Sequence, residues 1–141
     1  MKTLVVMVRG WTNIGEPLLA LVGQPAGEFG AEFIQALSQT LEGVLENAEI
    51  YTPPLNMSMF SMFSPEDVST QLFDLADKKT SSMPDLGRVI IVGYSAGAPI
   101  ARRLFCKAYG AQKDGSLDEK SVRAWAHKIE RLVIVAGITR G

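Results

Sequence analysis

Three runs of this chain, residues 3–8, 88–92 and 131–135, are almost continuously apolar and β-branched. Runs without polar alternation are how strands buried on both faces of a parallel sheet read. Each stops at a glycine turn, at Arg9-Gly10, Gly93 and Ala136-Gly137. A weaker strand, residues 48–52, stops at Pro53-Pro54. Between these runs the period changes to that of a helix. Phe33, Ile34, Leu37, Leu41, Val44 and Leu45 share one face of the first. The second opens with Ser64-Pro65-Glu66-Asp67, an N-cap serine, proline at the first helical position and two carboxylates against the positive end of the helix dipole. It closes with Lys78-Lys79. A third helix is expected over about 98–109, and a fourth over about 117–128, after the polar loop 110–116.

The order βαβαβαβ, with right-handed crossovers, predicts a parallel sheet of about four strands flanked by helices on both faces. It is an α/β fold, and one domain is expected over residues 1–141. In such sheets function sits at the carboxyl ends of the strands.

Composition narrows the partners. With 47% hydrophobic residues, a net charge of −1 and no clustering of Lys or Arg, nothing in the chain suits a nucleic-acid backbone. No apolar stretch approaches the length that crosses a bilayer, and the first apolar run is too short for a signal-peptide core. Cys106 is the single cysteine and forms no internal disulfide, so a cytoplasmic location is expected.

The chemistry concentrates in Gly93-Tyr94-Ser95-Ala96-Gly97, between an apolar strand and the helix opening Ala98-Pro99-Ile100-Ala101. A G-x-S-x-G turn in that context is a nucleophile elbow. The flanking Gly93 and Gly97 lack side chains because the turn is sharp, and Ser95 is pushed above the sheet where a carbonyl can reach it. The backbone N–H of Ala96 then points at the oxyanion that attack would create. The plainer alternative is a serine in an ordinary glycine-rich turn.

A second oxyanion donor belongs in the loop after the first strand, where Gly10 permits close approach and the N–H of Trp11 is the candidate. Trp11 would also wall the pocket, unless it simply packs on the sheet. The segment Asn56-Met57-Ser58-Met59-Phe60-Ser61-Met62-Phe63 follows the second strand on the same side. Met57, Met59 and Phe60, with Tyr94, are candidate pocket residues for an acyl chain, although packing of the Met and Phe side chains against other parts of the fold is the plainer reading. Gly10 and Gly15 have phosphate-loop spacing, but Glu16-Pro17 follows where a lysine and a hydroxyl are required, so a nucleotide is excluded. One cysteine, one histidine and no carboxylate–histidine pair at ligand spacing argue against a metal.

A serine needs a base. His127, the single histidine, precedes the fourth strand and therefore belongs to the amino ends of the strands, about 15 Å or more from Ser95. A structural role at a helix C-terminus is expected for it. Glu16 is the only acid close to the first loop.

These residues and their order resemble the N-terminal half of an α/β-hydrolase fold serine hydrolase of the esterase and lipase type, over essentially the whole chain. The matching residues are Gly93, Ser95 and Gly97, with Ala96 for the oxyanion N–H and Arg9-Gly10-Trp11 where many members have His-Gly-x. The resemblance implies hydrolysis of carboxylic ester or thioester bonds through an acyl-enzyme on Ser95, a small-molecule substrate and no cofactor. It also implies an acid and a histidine on later strands, so the chain is expected to be a truncated core with little activity of its own. The alternative is a non-catalytic binding or interaction module that holds a carboxylate or acyl ligand at the elbow. Leu132-Val133-Ile134-Val135 would form an exposed edge, through which dimerisation or aggregation is expected.

Overall fold

The structure, a computed structural model, describes residues 1–9, 31–55 and 64–135, with side chains from residue 35 onward in the first helix. The elements run β1 (Lys2–Val8), α1 (Ala31–Val44), β2 (Ala48–Tyr51), α2 (Pro65–Ser81), β3 (Leu86–Tyr94), α3 (Gly97–Ala108) and β4 (Ile129–Val135). Among the described residues the four strands form one sheet in the order β2-β1-β3-β4, and every pairing is parallel. The two most apolar strands, β1 and β3, take the centre. In β1 every residue from Thr3 to Val8 is buried.

Alternation of side chains sends β1 and β3 into two separate cores. Leu4, Val6, Val8, Val89 and Ile91 face α2 and α3, where Leu72, Ala76, Ala101 and Leu104 close over them. Val5, Met7, Ile90 and Val92 face the other way and meet Leu37, Leu41 and Leu45 along and just beyond α1. Helices therefore cover both faces of the sheet. Val44, expected on the buried face of α1, is instead exposed at the end of the helix.

The start of α2 is fixed by its own residues. Ser64 Oγ accepts from the amide of Asp67, whose carboxylate accepts from the amide of Ser64, so two donors at the helix end are satisfied at once. Glu66 reaches across to α3, where Arg103 and Lys107 both pair with it. That bridge clamps α2 to α3. The hydrogen bond from Lys107, joined by one from Arg103 and by both positive charges, holds the Glu66 carboxyl below the ordinary glutamate value against a partial opposing effect of burial.

The fourth helix is a correction. Residues 117–128 contain two short 3₁₀ turns, Glu119–Ser121 and Ala126–Lys128, and no α-helix. Asp118 caps the first turn by accepting from the amide of Lys120 and from Ser121 Oγ, which competes with helical continuation. Trp125 then turns inward, 6% exposed, and its indole N–H donates to Asp77 on α2 at 2.7 Å. Burying that ring against Phe73 is worth more than the helix propensity the segment gives up. β3 and β4 also begin earlier than expected, at Leu86 and Ile129, and Glu130 is an extra residue opposite the Val89–Ile90 step.

Candidate functional site

Where β3 ends, the backbone makes the turn its sequence requires. Ser95 has φ of 53°, a left-handed conformation that a serine adopts only when its surroundings hold it there. Those surroundings are two glycines in close contact. A Cβ on Gly93 would lie 2.8 Å from both Ala98 Cα and Ala101 Cβ, so α3 can pack this tightly on the strand only because the side chain is missing. A Cβ on Gly97 would lie 2.3 Å from the carbonyl oxygen of Val8 and 2.5 Å from that of Arg9. The start of α3 is thus pressed against the end of β1, at the point where the chain enters its first loop.

Three hydrogen-bonding facts complete the local geometry. The Ser95 N–H donates to the Val135 carbonyl at 3.0 Å, and the Ser95 carbonyl accepts from the Ala98 amide at 3.0 Å. Ala96, the residue before α3, is helical in φ and ψ, and no side chain caps the helix start. Among the described residues its N–H donates to no backbone carbonyl. An amide with no backbone acceptor among the described residues, beside a partly exposed serine and at the positive end of a helix with no acidic residue in its first turn, suits an anion. Ser95 and Ala96 are both partly exposed, so the site is open to solvent.

The other expected site residues divide three ways. Tyr94 is half-buried and packs against the Val5–Met7–Ile90–Val92 cluster. Gly10, Trp11, Gly15, Glu16, Met57, Met59 and Phe60 lie outside the described residues. His127 stands in the 3₁₀ turn just before β4, exposed, with its ring edge-on to Tyr109 at 6.1 Å between centroids. It lines an open cavity of about 630 Å³ with Met1, Lys2, Gly87 and Arg88, at the amino ends of the strands. The whole of β4, about 20 Å, separates His127 from the level of Ser95.

Sequence reasoning had no signal for the role of Val135, whose carbonyl holds the Ser95 amide, because a backbone acceptor leaves no mark on residue type. The contact of Gly97 with the Val8 and Arg9 carbonyls is likewise a tertiary fact. Among the described residues no group of three or more His, Cys, Asp or Glu is placed to hold a metal, and no helix is long and apolar enough to cross a membrane.

No family model matches the sequence, and no curated protein matches it. Solved structures do resemble it in fold. The catalytic core domain of an acetyl xylan esterase from Trichoderma reesei superposes with a TM-score of 0.59 at 11% identity, covering 96% of this chain and 63% of that one. An iodinated complex of acetyl xylan esterase gives 0.58 at 11% identity, over 97% of this chain and 64% of that one. An acetylxylan esterase at 0.90 Å resolution gives 0.54 at 11% identity, over 96% and 62%. At this identity the likeness concerns the fold, which is that of an α/β-hydrolase-like core. The chain spans a little under two thirds of the length of those esterases.

Proposed function

We propose that the protein is a serine ester hydrolase in which Ser95 forms an acyl-enzyme with a carboxylic ester or thioester. The observation that carries this reading is the left-handed Ser95 held between two glycines whose missing side chains admit the neighbouring backbone. Such strain costs about 1–3 kcal/mol and persists where the surrounding structure over-determines it, most often at a reactive site. An ordinary strand-to-helix turn would place glycine at that position, with no loss of fold.

In the proposed reaction Ser95 Oγ adds to the acyl carbon as its proton passes to a base. The oxyanion is met by the Ala96 N–H and by the N–H of Trp11 from the first loop. Collapse expels the alcohol or thiol, and water releases the acid in a second round. The Ala96 N–H, with no backbone acceptor among the described residues at a helix start without a side-chain cap, also favours a second reading, a module that retains a carboxylate there without turning it over. The likeness to acetyl xylan esterases makes a small acyl group the first substrate to try.

One experiment separates the two. A fluorophosphonate reagent should form an adduct with Ser95, and Ser95→Ala should abolish both adduct and ester hydrolysis. A binding module would instead take up a carboxylate with no adduct.

A further inference from the structure

A second concentration of charge lies at the far end of α3 from Ser95. Between the first half of α2, the last turn of α3 and the loop that follows it, the described residues leave an open cavity of about 340 Å³. Glu66, Phe73, Lys107, Gln112, Lys113 and Arg123 are on its wall. The length of α3, about 18 Å, separates it from the elbow.

The wall carries three cations and one carboxylate. That carboxylate, Glu66, is already shared between Lys107 at 3.0 Å and Arg103 at 2.9 Å, so it meets two positive charges by itself. Lys113 is exposed and makes no hydrogen bond or ion pair among the described residues. Asp67, Asp114 and Asp118, on the same segments, are held in their own caps and turns by Ser64, Ser116 and Ser121, and none of them lines the cavity. The wall therefore holds a local excess of positive charge.

Arg123 gives that charge a direction. Its guanidinium stands 5.0 Å over the Phe73 ring. Its Nε is buried 3.3 Å from Asp77 Oδ2 and yet makes no hydrogen bond, while the other oxygen of Asp77 accepts from the Trp125 indole. A buried donor without an acceptor is uncommon in a folded chain. Stacking occupies the flat face of a guanidinium and leaves the N–H groups in its plane to fork onto two oxygens. A phosphate supplies both oxygens. A phosphate monoester carries about 1.5 to 2 negative charges near neutrality, close to the excess on the wall, where a single carboxylate would leave part of it unmatched. The cavity holds the volume of roughly ten waters, more than a bare phosphate fills, and Phe73 offers an apolar surface for the remainder.

We propose that this cavity binds a small phosphate monoester, with the phosphate on Arg123, Lys113 and Lys107 and the body of the ligand against Phe73. The site is separate from Ser95 and stands whether or not the serine-hydrolase reading does.

The test is a titration with phenyl phosphate at pH 7, followed by backbone amide NMR shifts, beside parallel titrations with inorganic phosphate and benzoate. Phenyl phosphate should move the amides of Gln112, Lys113 and Arg123 along one saturable curve, and the other two should bind there several-fold more weakly. Lys113→Gln, in the exposed loop, should weaken binding about tenfold with circular dichroism unchanged. Glu66→Gln frees two cations from their carboxylate and should tighten binding several-fold, a sign that a purely structural role for the bridge would not give. Ser95→Ala should bind as wild type. Shifts spread over lysines elsewhere without saturation, benzoate or inorganic phosphate binding as tightly as phenyl phosphate, or unchanged affinity in Lys113→Gln would overturn the site.

Discussion

The backbone amide of Ser95 donates to the carbonyl of Val135 at 3.0 Å, so the last residue of β4 holds the first residue past β3. Ala96, next in the chain, has no such partner among the described residues. The two neighbouring amides should therefore differ in hydrogen exchange, Ser95 slow and Ala96 fast. The Ala96 amide should also be the one whose NMR shift moves most when a borate or phosphonate mimic of the oxyanion is added. Equal exchange at the two positions would mean that β4 does not hold the elbow.

Strain at Ser95 makes a stability prediction opposite in sign to its effect on activity. Ser95→Gly relieves the positive φ and should stabilise the fold by about 1 kcal/mol in urea unfolding while removing all ester hydrolysis. Ser95→Ala keeps the strain and should be near neutral for stability, with the same loss of activity. A destabilised Ser95→Gly variant would show that the turn is relaxed.

The glycines differ from one another in a way that substitution should expose. Gly97→Ala drives a methyl into two main-chain carbonyls, which cannot move without displacing the end of β1, and should cost about 1–3 kcal/mol or more. Gly43→Ala has no atom within 4 Å of the new methyl and lies in α1. It should stabilise by about 0.5–1 kcal/mol. Melting temperatures of the pair, measured side by side, check both signs.

Glu66 links folding to pH. Its carboxyl titrates below the ordinary glutamate value in the folded chain because Lys107 and Arg103 bond it, so the folded state binds that proton less readily than the unfolded one. The bridge therefore contributes stability above the unfolded glutamate value, and the contribution disappears as pH falls through that value toward the lower folded one. Wild type and Glu66→Gln should diverge most near neutrality and converge in acid. Urea midpoints of the two proteins across pH 3 to 7, at about one-unit steps, are the measurement. Parallel curves would mean the pair is too solvated to matter.

The strands and the sharp turn after β3 were legible because each is written in one short run. Residues 3–8 and 88–92 are apolar on both faces, and only a buried parallel strand tolerates that. Ser64 and Asp67 announced the start of α2 through chemistry confined to four residues. Residues 117–128 misled, because helix-compatible side chains there are overruled by contacts from afar: the Asp77 carboxylate that takes the Trp125 indole, and the Ala108 carbonyl that accepts from the Arg123 amide. Val44 was misplaced by the same limit, since the helix ends there and its last turn no longer faces the sheet. His127 was legible in position, at the amino ends of the strands.

The most direct measurement is mass spectrometry of the wild-type chain after treatment with a fluorophosphonate. One adduct on the peptide carrying Ser95, absent from Ser95→Ala, is the predicted result. An adduct on any other serine, or none while the protein remains folded, would contradict the assignment of Ser95 as nucleophile.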